Sequence, residues 1–352
     1  MGREKELLEL FPLQMRRTYE QAATQMAQIQ EIRLRVGRPV MIHSQGKEKY
    51  LTEDGRIIYD AANAFCPGRD YLDRLLNHIC GYSAYAFEEE IRRGFLTVPG
   101  GHRIGLSGEV VLSGHEIISM KNLNALNIRI AHQIKGAADG VMRYISPGGG
   151  IRNTLIVSPP GCGKTTLLRD VIRQLSVKFT IGVVDERSEI GGSFQGEMQN
   201  DLGPRTDVLD GCPKEIGMTM LLRSMNPQVL AVDEIGTCED ADAIGQAIRS
   251  GCYVIATIHG ENVRKLAEKR GIGELVRQKV FERYIVLCDR KKPGSILEIL
   301  DSNYQRMDAD ETDRSNIVGL RDNRNGSDVT GAPEKEDYRN RTGNLAFTVY
   351  GE

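Results

Sequence analysis

One segment, residues 153–175, constrains the fold of this 352-residue chain more than any other. It begins with a short apolar, partly β-branched run at residues 154–158, which is followed by two prolines and is typical of a buried strand. After Lys164, leucine, valine and isoleucine recur at helical spacing. The segment therefore predicts a strand, a glycine-containing loop and a helix in that order.

The loop GCGKTT matches the second half of the phosphate-binding pattern G-x-x-x-x-G-K-[ST], with Ser158 in place of the first glycine. Glycines there let backbone N–H groups and the helix N-terminus point at one anion. Lys164 would reach the β- and γ-phosphates and Thr165 would ligate Mg²⁺, unless the segment is only a glycine-rich turn before an ordinary helix. We predict that ATP and Mg²⁺ bind at Ser158, Pro159, Pro160, Gly161, Cys162, Gly163, Lys164, Thr165 and Thr166.

Composition and charge exclude several classes of protein. A net charge of −2 provides no overall attraction to nucleic acid or to anionic membranes. The seven cysteines are scattered and include no C-x-x-C pair, which favours a reducing compartment over a disulfide or zinc framework. No apolar run approaches the roughly 18 residues of a membrane span, and the N-terminus lacks the apolar core of a signal peptide. We expect a cytoplasmic protein that contacts membranes only through partners.

Residues 1–135 predict a smaller α+β domain without a catalytic constellation of its own. The pattern of apolar residues predicts helices at residues 1–28, 69–80 and 87–93, and strands at residues 31–43, 94–112 and 127–131. Proline and glycine are concentrated near residues 146–150, so we predict a linker at residues 136–152.

Residues 153–300 alternate apolar runs with helical segments, which is typical of a parallel sheet covered on both faces. The predicted strands are residues 155–157, 181–184, 229–232, 253–258 and 284–287, with an edge strand at 296–300, and helices include residues 218–224, 239–250 and 262–270. The predicted fold class is α/β, a RecA-like P-loop domain with a mainly parallel sheet after the α+β domain. Residues 301–352 are too polar to offset their ordering entropy, so we predict a disordered tail.

Two carboxylates follow the apolar run at residues 229–232. A nucleotide-hydrolysing enzyme needs one acid to hold the Mg²⁺ shell and a second to orient the attacking water. We predict that Asp233 does the first and Glu234 the second. An acidic strand end that faces solvent is the alternative.

Further polar residues follow neighbouring strands. Asp185, Glu186 and Glu189 come after residues 181–184, and one of them could help to activate water or form a structural salt bridge with Arg187. His259 ends another strand, where it could contact the γ-phosphate or serve as a structural histidine. We predict that Arg223, on the helix before Asp233, contacts a phosphate or a carboxylate.

Taken together and in this order, these segments resemble the secretion ATPases of the type II and type IV superfamily. The resemblance covers roughly residues 30–300 and lies in EIRLRVGRP at 31–39, the loop at 158–166, DERSEIGG at 185–192, LLRSMNPQVLAVDEIGT at 221–237 and ATIHG at 256–260. Pilus retraction motors usually have Gly-Glu where this chain has Asp233-Glu234. That pair, together with DERSEIGG, is more similar to family members that act in endospore formation.

The resemblance implies a mother-cell ATPase that assembles as a ring, with a hexamer as the expected form. It implies integral-membrane partners in a channel between mother cell and forespore, whose assembly or transport the ATPase powers. In this family, arginines of the N-terminal domain approach the nucleotide and can stabilise the transition state. Arg103 and Arg129 are the matching positions, and a surface arginine is the alternative for each.

The sequence leaves two other functions open. A small-molecule phosphotransferase would need an acceptor pocket with a base, and the first domain offers no obvious one. A nucleic-acid-dependent RecA-like ATPase has its best support in Arg33, Arg35 and Arg38. The near-neutral charge and the absence of interleaved aromatic residues count against it, so we expect no nucleic-acid partner.

Overall fold

The computed structural model of the chain describes residues 3–81, 87–114, 116–287 and 293–307. Met1–Asp308 form one compact unit, in which the described strands make two seven-stranded sheets. Within the described ranges, no helix is long and apolar enough to cross a bilayer. The predicted tail from residue 308 onward lies outside the described residues.

Alternating apolar and polar residues build the first sheet, which is antiparallel throughout. Its strands are β1 (Ile29–Arg35), β2 (Arg38–Ser44), β3 (Lys47–Leu51), β4 (Ile57–Ile58), β5 (Phe95–Val98), β6 (His102–Ser113) and β7 (Glu116–Arg129), in the spatial order β4-β3-β2-β1-β7-β6-β5. The helices are α1 (Arg3–Glu9), α2 (Arg16–Thr24), α3 (Arg69–Ile79) and α4 (Glu88–Arg93). Ile32, Leu34 and Ile128 are buried with Leu72 and Leu75 of α3, so helices cover one face of this sheet.

The other face of the first sheet carries polar side chains. Arg103 of β6 lies opposite Arg129 of β7, which in turn lies opposite Glu31 of β1. Because paired residues of neighbouring strands project from the same face, these three residues share the polar face.

Nearly continuous apolar runs build the second sheet, whose strands are parallel except β14. Its elements are α5 (Asp139–Ile145), β8 (Thr154–Ser158), α6 (Lys164–Leu175), β9 (Ile181–Asp185), β10 (Thr206–Asp210), α7 (Lys214–Ser224), β11 (Val229–Val232), α8 (Cys238–Arg249), β12 (Tyr253–His259), α9 (Val263–Leu266), α10 (Ile272–Arg277), β13 (Arg283–Leu287) and β14 (Ile296–Asp301). The spatial order is β10-β9-β11-β12-β8-β13-β14. Leu155 and Val157 belong to one hydrophobic core and Ile156 to another, so the sheet is covered on both faces. The predicted fold class is confirmed.

Some elements differ from the prediction. β7 begins at residue 116, whereas the sequence predicted a short strand at 127–131. At the far end of the β6–β7 hairpin, Val110, Leu112 and Ile117 are exposed. Alternation between buried apolar and exposed polar residues therefore does not identify this part of the sequence as a strand.

Two further differences lie in segments that were predicted to be irregular. The predicted linker contains α5, whose Val141 and Ile145 are buried. The predicted tail from residue 301 starts with residues that fold back, because the N–H of Met307 donates to the Ile299 carbonyl and the Tyr304 ring contacts Tyr284. The domain bounds at residues 135 and 153 stay predictions.

Candidate functional site

The loop between β8 and α6 contains two glycines in left-handed conformations. Gly161 and Gly163 have φ angles of 77° and 92°, which residues with side chains rarely adopt. A Cβ on Gly163 would lie 2.9 Å from the nitrogen of Gly294, whose N–H donates to the Cys162 carbonyl. Because α6 begins at Lys164, the first N–H groups of the helix face this loop. A helix N-terminus in this arrangement can bind an anion.

Lys164 is the buried cation of the site, with 5% of its side chain exposed. Its Nζ lies 3.1 Å from Nδ1 of His259 and 4.0 Å from Oε1 of Glu234. Since an ammonium group has donors only, Nδ1 accepts this hydrogen bond. The remaining ring proton is then on Nε2, which donates to Oε1 of Glu234 at 3.0 Å. These three side chains therefore form one hydrogen-bonded cluster at the carboxyl ends of β8, β11 and β12.

Asp233 follows β11 and is bound by two threonine hydroxyl groups. Thr165 of α6 donates to Oδ2 at 2.5 Å, and Thr257 of β12 donates to Oδ1. Thr257 also accepts a hydrogen bond from the backbone N–H of Glu234 at 2.9 Å. No sequence motif singles out Thr257, although strand alternation places it on the same face of β12 as His259.

Glu234 has a strained backbone and basic neighbours on both sides of its carboxylate. Its φ angle is 52°, a left-handed value that is uncommon for residues other than glycine and often marks functional positions. Oε1 faces Lys164 and His259, while Oε2 accepts a hydrogen bond from Arg187 at 2.9 Å. The sequence also allowed a salt bridge between Arg187 and its neighbouring acids, whereas the structure pairs Arg187 with Glu234.

Asp185, at the end of β9, binds the backbone of the loop that follows it. Its carboxylate accepts hydrogen bonds from the N–H groups of Glu189, Ile190 and Gly191 at 2.8, 2.9 and 2.8 Å. Burial raises the pKa of Asp185 to about 6, and the nearby Asp210 acts in the same direction while the backbone donors oppose it. Asp185 therefore fixes the loop at residues 186–191.

The other two predicted acids of this loop have different partners. Glu186 forms an ion pair with Lys214 at the start of α7. Glu189 pairs with Arg103 of the first sheet at 3.0 Å, and the Arg103 guanidinium lies 3.5 Å from the centre of the Phe95 ring. Burial lowers the pKa of Arg103 from its ordinary value, and Glu189 opposes that change. The loop is thus connected to both sheets.

The remaining predicted arginines do not contact the Lys164 cluster. Arg129 is exposed on the polar face of the first sheet, opposite Arg103. Arg223 is exposed near the C-terminal end of α7, whereas Lys214, at the other end of α7, contacts Glu186. At ~1.5 Å per residue, Arg223 lies roughly 13 Å further along the helix axis. The predicted contact between Arg223 and a phosphate or a carboxylate stays a prediction.

Comparison with known proteins identifies the family. A family model described as "Sporulation stage III, protein AA" matches residues 1–307. The chain belongs to this family. Stage III sporulation protein AA of Bacillus subtilis (strain 168) is 37% identical over 305 residues, which cover 85% of this chain and 95% of that protein. The predicted likeness to proteins of endospore formation is confirmed.

Solved structures with the same fold include two bacterial ATPases. The X-ray structure of the Legionella pneumophila ATPase DotB has a TM-score of 0.51 and 17% identity, covering 78% of this chain and 76% of that chain. The Yersinia pseudotuberculosis ATPase DotB has a TM-score of 0.52 and 11% identity, covering 78% and 75% of the two chains. At these identities the likeness shows the fold alone.

Proposed function

We propose that the chain is an ATP-hydrolysing motor that assembles as a ring, with a hexamer as the expected form, during endospore formation. It powers the assembly of, or transport through, a membrane-embedded channel between mother cell and forespore. The observation that carries this proposal is the contact among Lys164, His259 and Glu234 beside the glycine-containing loop. Membership in the sporulation family supports the biological setting.

The residues beside the loop fit ATP with Mg²⁺. Lys164 and the N-terminus of α6 provide a buried ammonium group and backbone N–H groups for phosphate oxygens. Thr165 and Asp233 provide a hydroxyl and a carboxylate in contact with each other for Mg²⁺, which neutralises phosphate charge when bound. A short set of protein ligands suits a cation that also binds phosphate oxygens and water.

Glu234 is the residue that we assign to the attacking water. Its carboxylate lies beside Lys164, so it can orient a water molecule near the bound phosphates and accept its proton. His259 donates to Oε1 of the same carboxylate and keeps it beside Lys164. Asp185, in contrast, uses its carboxylate to bind backbone N–H groups of the loop.

The ring and its membrane partners involve surfaces away from the Lys164 cluster. Arg129 is exposed on the polar face of the first sheet, where it can approach the nucleotide of a neighbouring subunit. Arg103 connects the same sheet to Glu189 within one chain. We assign membrane contact to integral-membrane components of the channel, with the motor on the mother-cell side.

Nucleotide binding and turnover in two variants test the active site. Lys164→Ala should lose both, because the buried ammonium group is the main cation for the phosphates. Glu234→Gln should keep nucleotide binding and lower turnover by about 100-fold or more, the typical contribution of a positioned base. Phosphate release by the wild type without an added acceptor or nucleic acid distinguishes hydrolysis from phosphotransfer and from a nucleic-acid-dependent ATPase. Loss of binding in Glu234→Gln would contradict the assigned role.

A further inference from the structure

Arg187 is a basic residue within an acidic loop, and it is not among the residues that would bind ATP or Mg²⁺. It follows β9 by two residues, and 61% of its side chain is exposed. Even so, its guanidinium donates to Oε2 of Glu234 at 2.9 Å. Exposed ion pairs usually contribute little to stability, because holding two long side chains in one geometry costs entropy. The partner carboxylate of Glu234 is only 24% exposed, so water screens this pair less than a fully exposed one, and the residues on both sides of Arg187 are fixed.

The residue before Arg187 and the one after it each bind a separate element. Glu186 forms an ion pair with Lys214 at the start of α7. The Ser188 hydroxyl donates to Asp210, at the end of β10, at 2.9 Å. Ser188 also has a left-handed φ angle of 52°, which turns the chain sharply after Arg187. The backbone of Arg187 is thus held from both sides.

The rest of the loop is bound by residues of β9, of α6 and of the first sheet. Asp185 accepts the N–H groups of Glu189 and Ile190, and Arg169 donates to the carbonyl groups of the same two residues at 2.6 and 3.0 Å. Arg103 pairs with the Glu189 side chain at 3.0 Å. Because the backbone on both sides of Arg187 is fixed, only its side chain has to be ordered when the ion pair with Glu234 forms.

The carboxylate of Glu234 is held from two opposite sides. Oε1 faces Lys164 and His259, and Arg187 contacts Oε2. In the proposed reaction Lys164 binds phosphate oxygens, so it is shared between these anions and Glu234. Arg187 and His259 are then the two donors that can keep the carboxylate in one orientation. A glutamate side chain has several rotatable bonds, and a contact to one oxygen alone leaves the carboxylate free to rotate.

We propose that Arg187 is a positioning residue for Glu234, which orients the carboxylate toward the phosphate-binding loop during turnover. This inference rests on the proposed ATP hydrolysis and concerns the same site. Arg187 acts through Glu234, so its loss should change the rate of the chemical step and leave nucleotide binding intact. A residue that only stabilised the fold would instead change the amount of active protein.

Steady-state ATP turnover and nucleotide affinity of the full-length chain test this role. Arg187→Gln removes the charge and the forked donor, and we expect kcat to fall about 10- to 100-fold, as a misplaced catalytic group does, with KM and the Kd for a fluorescent ATP analogue changed less than about twofold. Arg187→Lys retains the charge but replaces the guanidinium N–H that contacts Oε2 by an ammonium group, so part of kcat should return. The matched control is Arg249→Gln, an exposed arginine at the C-terminal end of α8, which should have wild-type kcat.

The outcomes separate this inference from the proposed function. If the wild type hydrolyses ATP and Arg187→Gln has the same kcat, the positioning role is overturned while hydrolysis stands. If Arg187→Gln loses nucleotide affinity to the same extent as Lys164→Ala, Arg187 is a binding residue and the inference is also overturned. If the wild type has no turnover above Lys164→Ala, the proposed function fails and the positioning role fails with it.

Discussion

Three acidic residues that look alike in the sequence have different neighbours in the structure. Asp185 binds backbone N–H groups, Asp233 binds hydroxyl groups of Thr165 and Thr257, and Glu234 lies among basic side chains. All three follow apolar strands, so the sequence could indicate that they lie at the same edge of the sheet. It could not indicate their partners, because these come from loops and helices that meet only in the folded chain.

The environment of Asp185 predicts a pH dependence of stability. Its pKa is raised to about 6 in the folded chain, from an ordinary value of 3.8, so the folded state binds this proton more tightly than the unfolded state does. The free energy of unfolding should therefore fall as pH rises from about 4 to about 6, by roughly 1.4 kcal/mol for each unit of pKa difference, and stay lower above pH 6.

Urea unfolding of the wild type and Asp185→Asn between pH 4.5 and 7.5 measures this contribution. The amide does not ionise, so the difference in free energy of unfolding between the two proteins should change up to about pH 6 and then become constant. Loss of acceptor capacity toward the loop N–H groups adds an offset that does not depend on pH. A difference that is constant over the whole range would show that Asp185 does not titrate there.

At the scale of elements, strands with buried, nearly continuous apolar runs could be predicted from the sequence. β8, β9 and β11 are of this kind, and every one of their residues is buried. β10 was missed because two of its five residues are aspartates and it pairs only with β9, at the edge of the sheet. α5 was missed because the nearby prolines and glycines dominated the local pattern.

The glycine-containing loop predicts different effects for two similar substitutions. Gly161→Ala introduces a side chain at a φ of 77° in open space, so it costs about 1–2 kcal/mol in backbone conformation. Gly163→Ala has a φ of 92° and also places Cβ 2.9 Å from the nitrogen of Gly294. We expect Gly163→Ala to weaken nucleotide binding by about 10-fold more than Gly161→Ala. This factor corresponds to a further loss of about 1.4 kcal/mol in the free energy of binding. Titration with a fluorescent nucleotide measures it, and equal affinities would show that the packing against Gly294 is unimportant.

At the scale of the whole molecule, polar contacts connect the first sheet and its adjoining loops to the loops and the helix beside the candidate site. Arg103 pairs with Glu189, and the N–H of Gly100 donates to the side chain of Gln199 at 2.9 Å. Arg169 of α6 also donates to the carbonyl of His132 at 2.9 Å. A movement of the first sheet can therefore reach the loop that positions Glu234. The sequence predicted two differently built halves, but the contacts between them depend on packing that no local pattern encodes.

The most direct test of the proposed ring motor is ATP turnover per chain as a function of protein concentration, with Lys164→Ala as the inactive control. We predict that the specific activity of the wild type rises steeply with concentration, because a neighbouring subunit completes the site, and that Lys164→Ala has no turnover at any concentration. A wild-type specific activity that is substantial and independent of concentration would contradict assembly of the site between subunits. Turnover equal to that of Lys164→Ala throughout would contradict ATP hydrolysis itself.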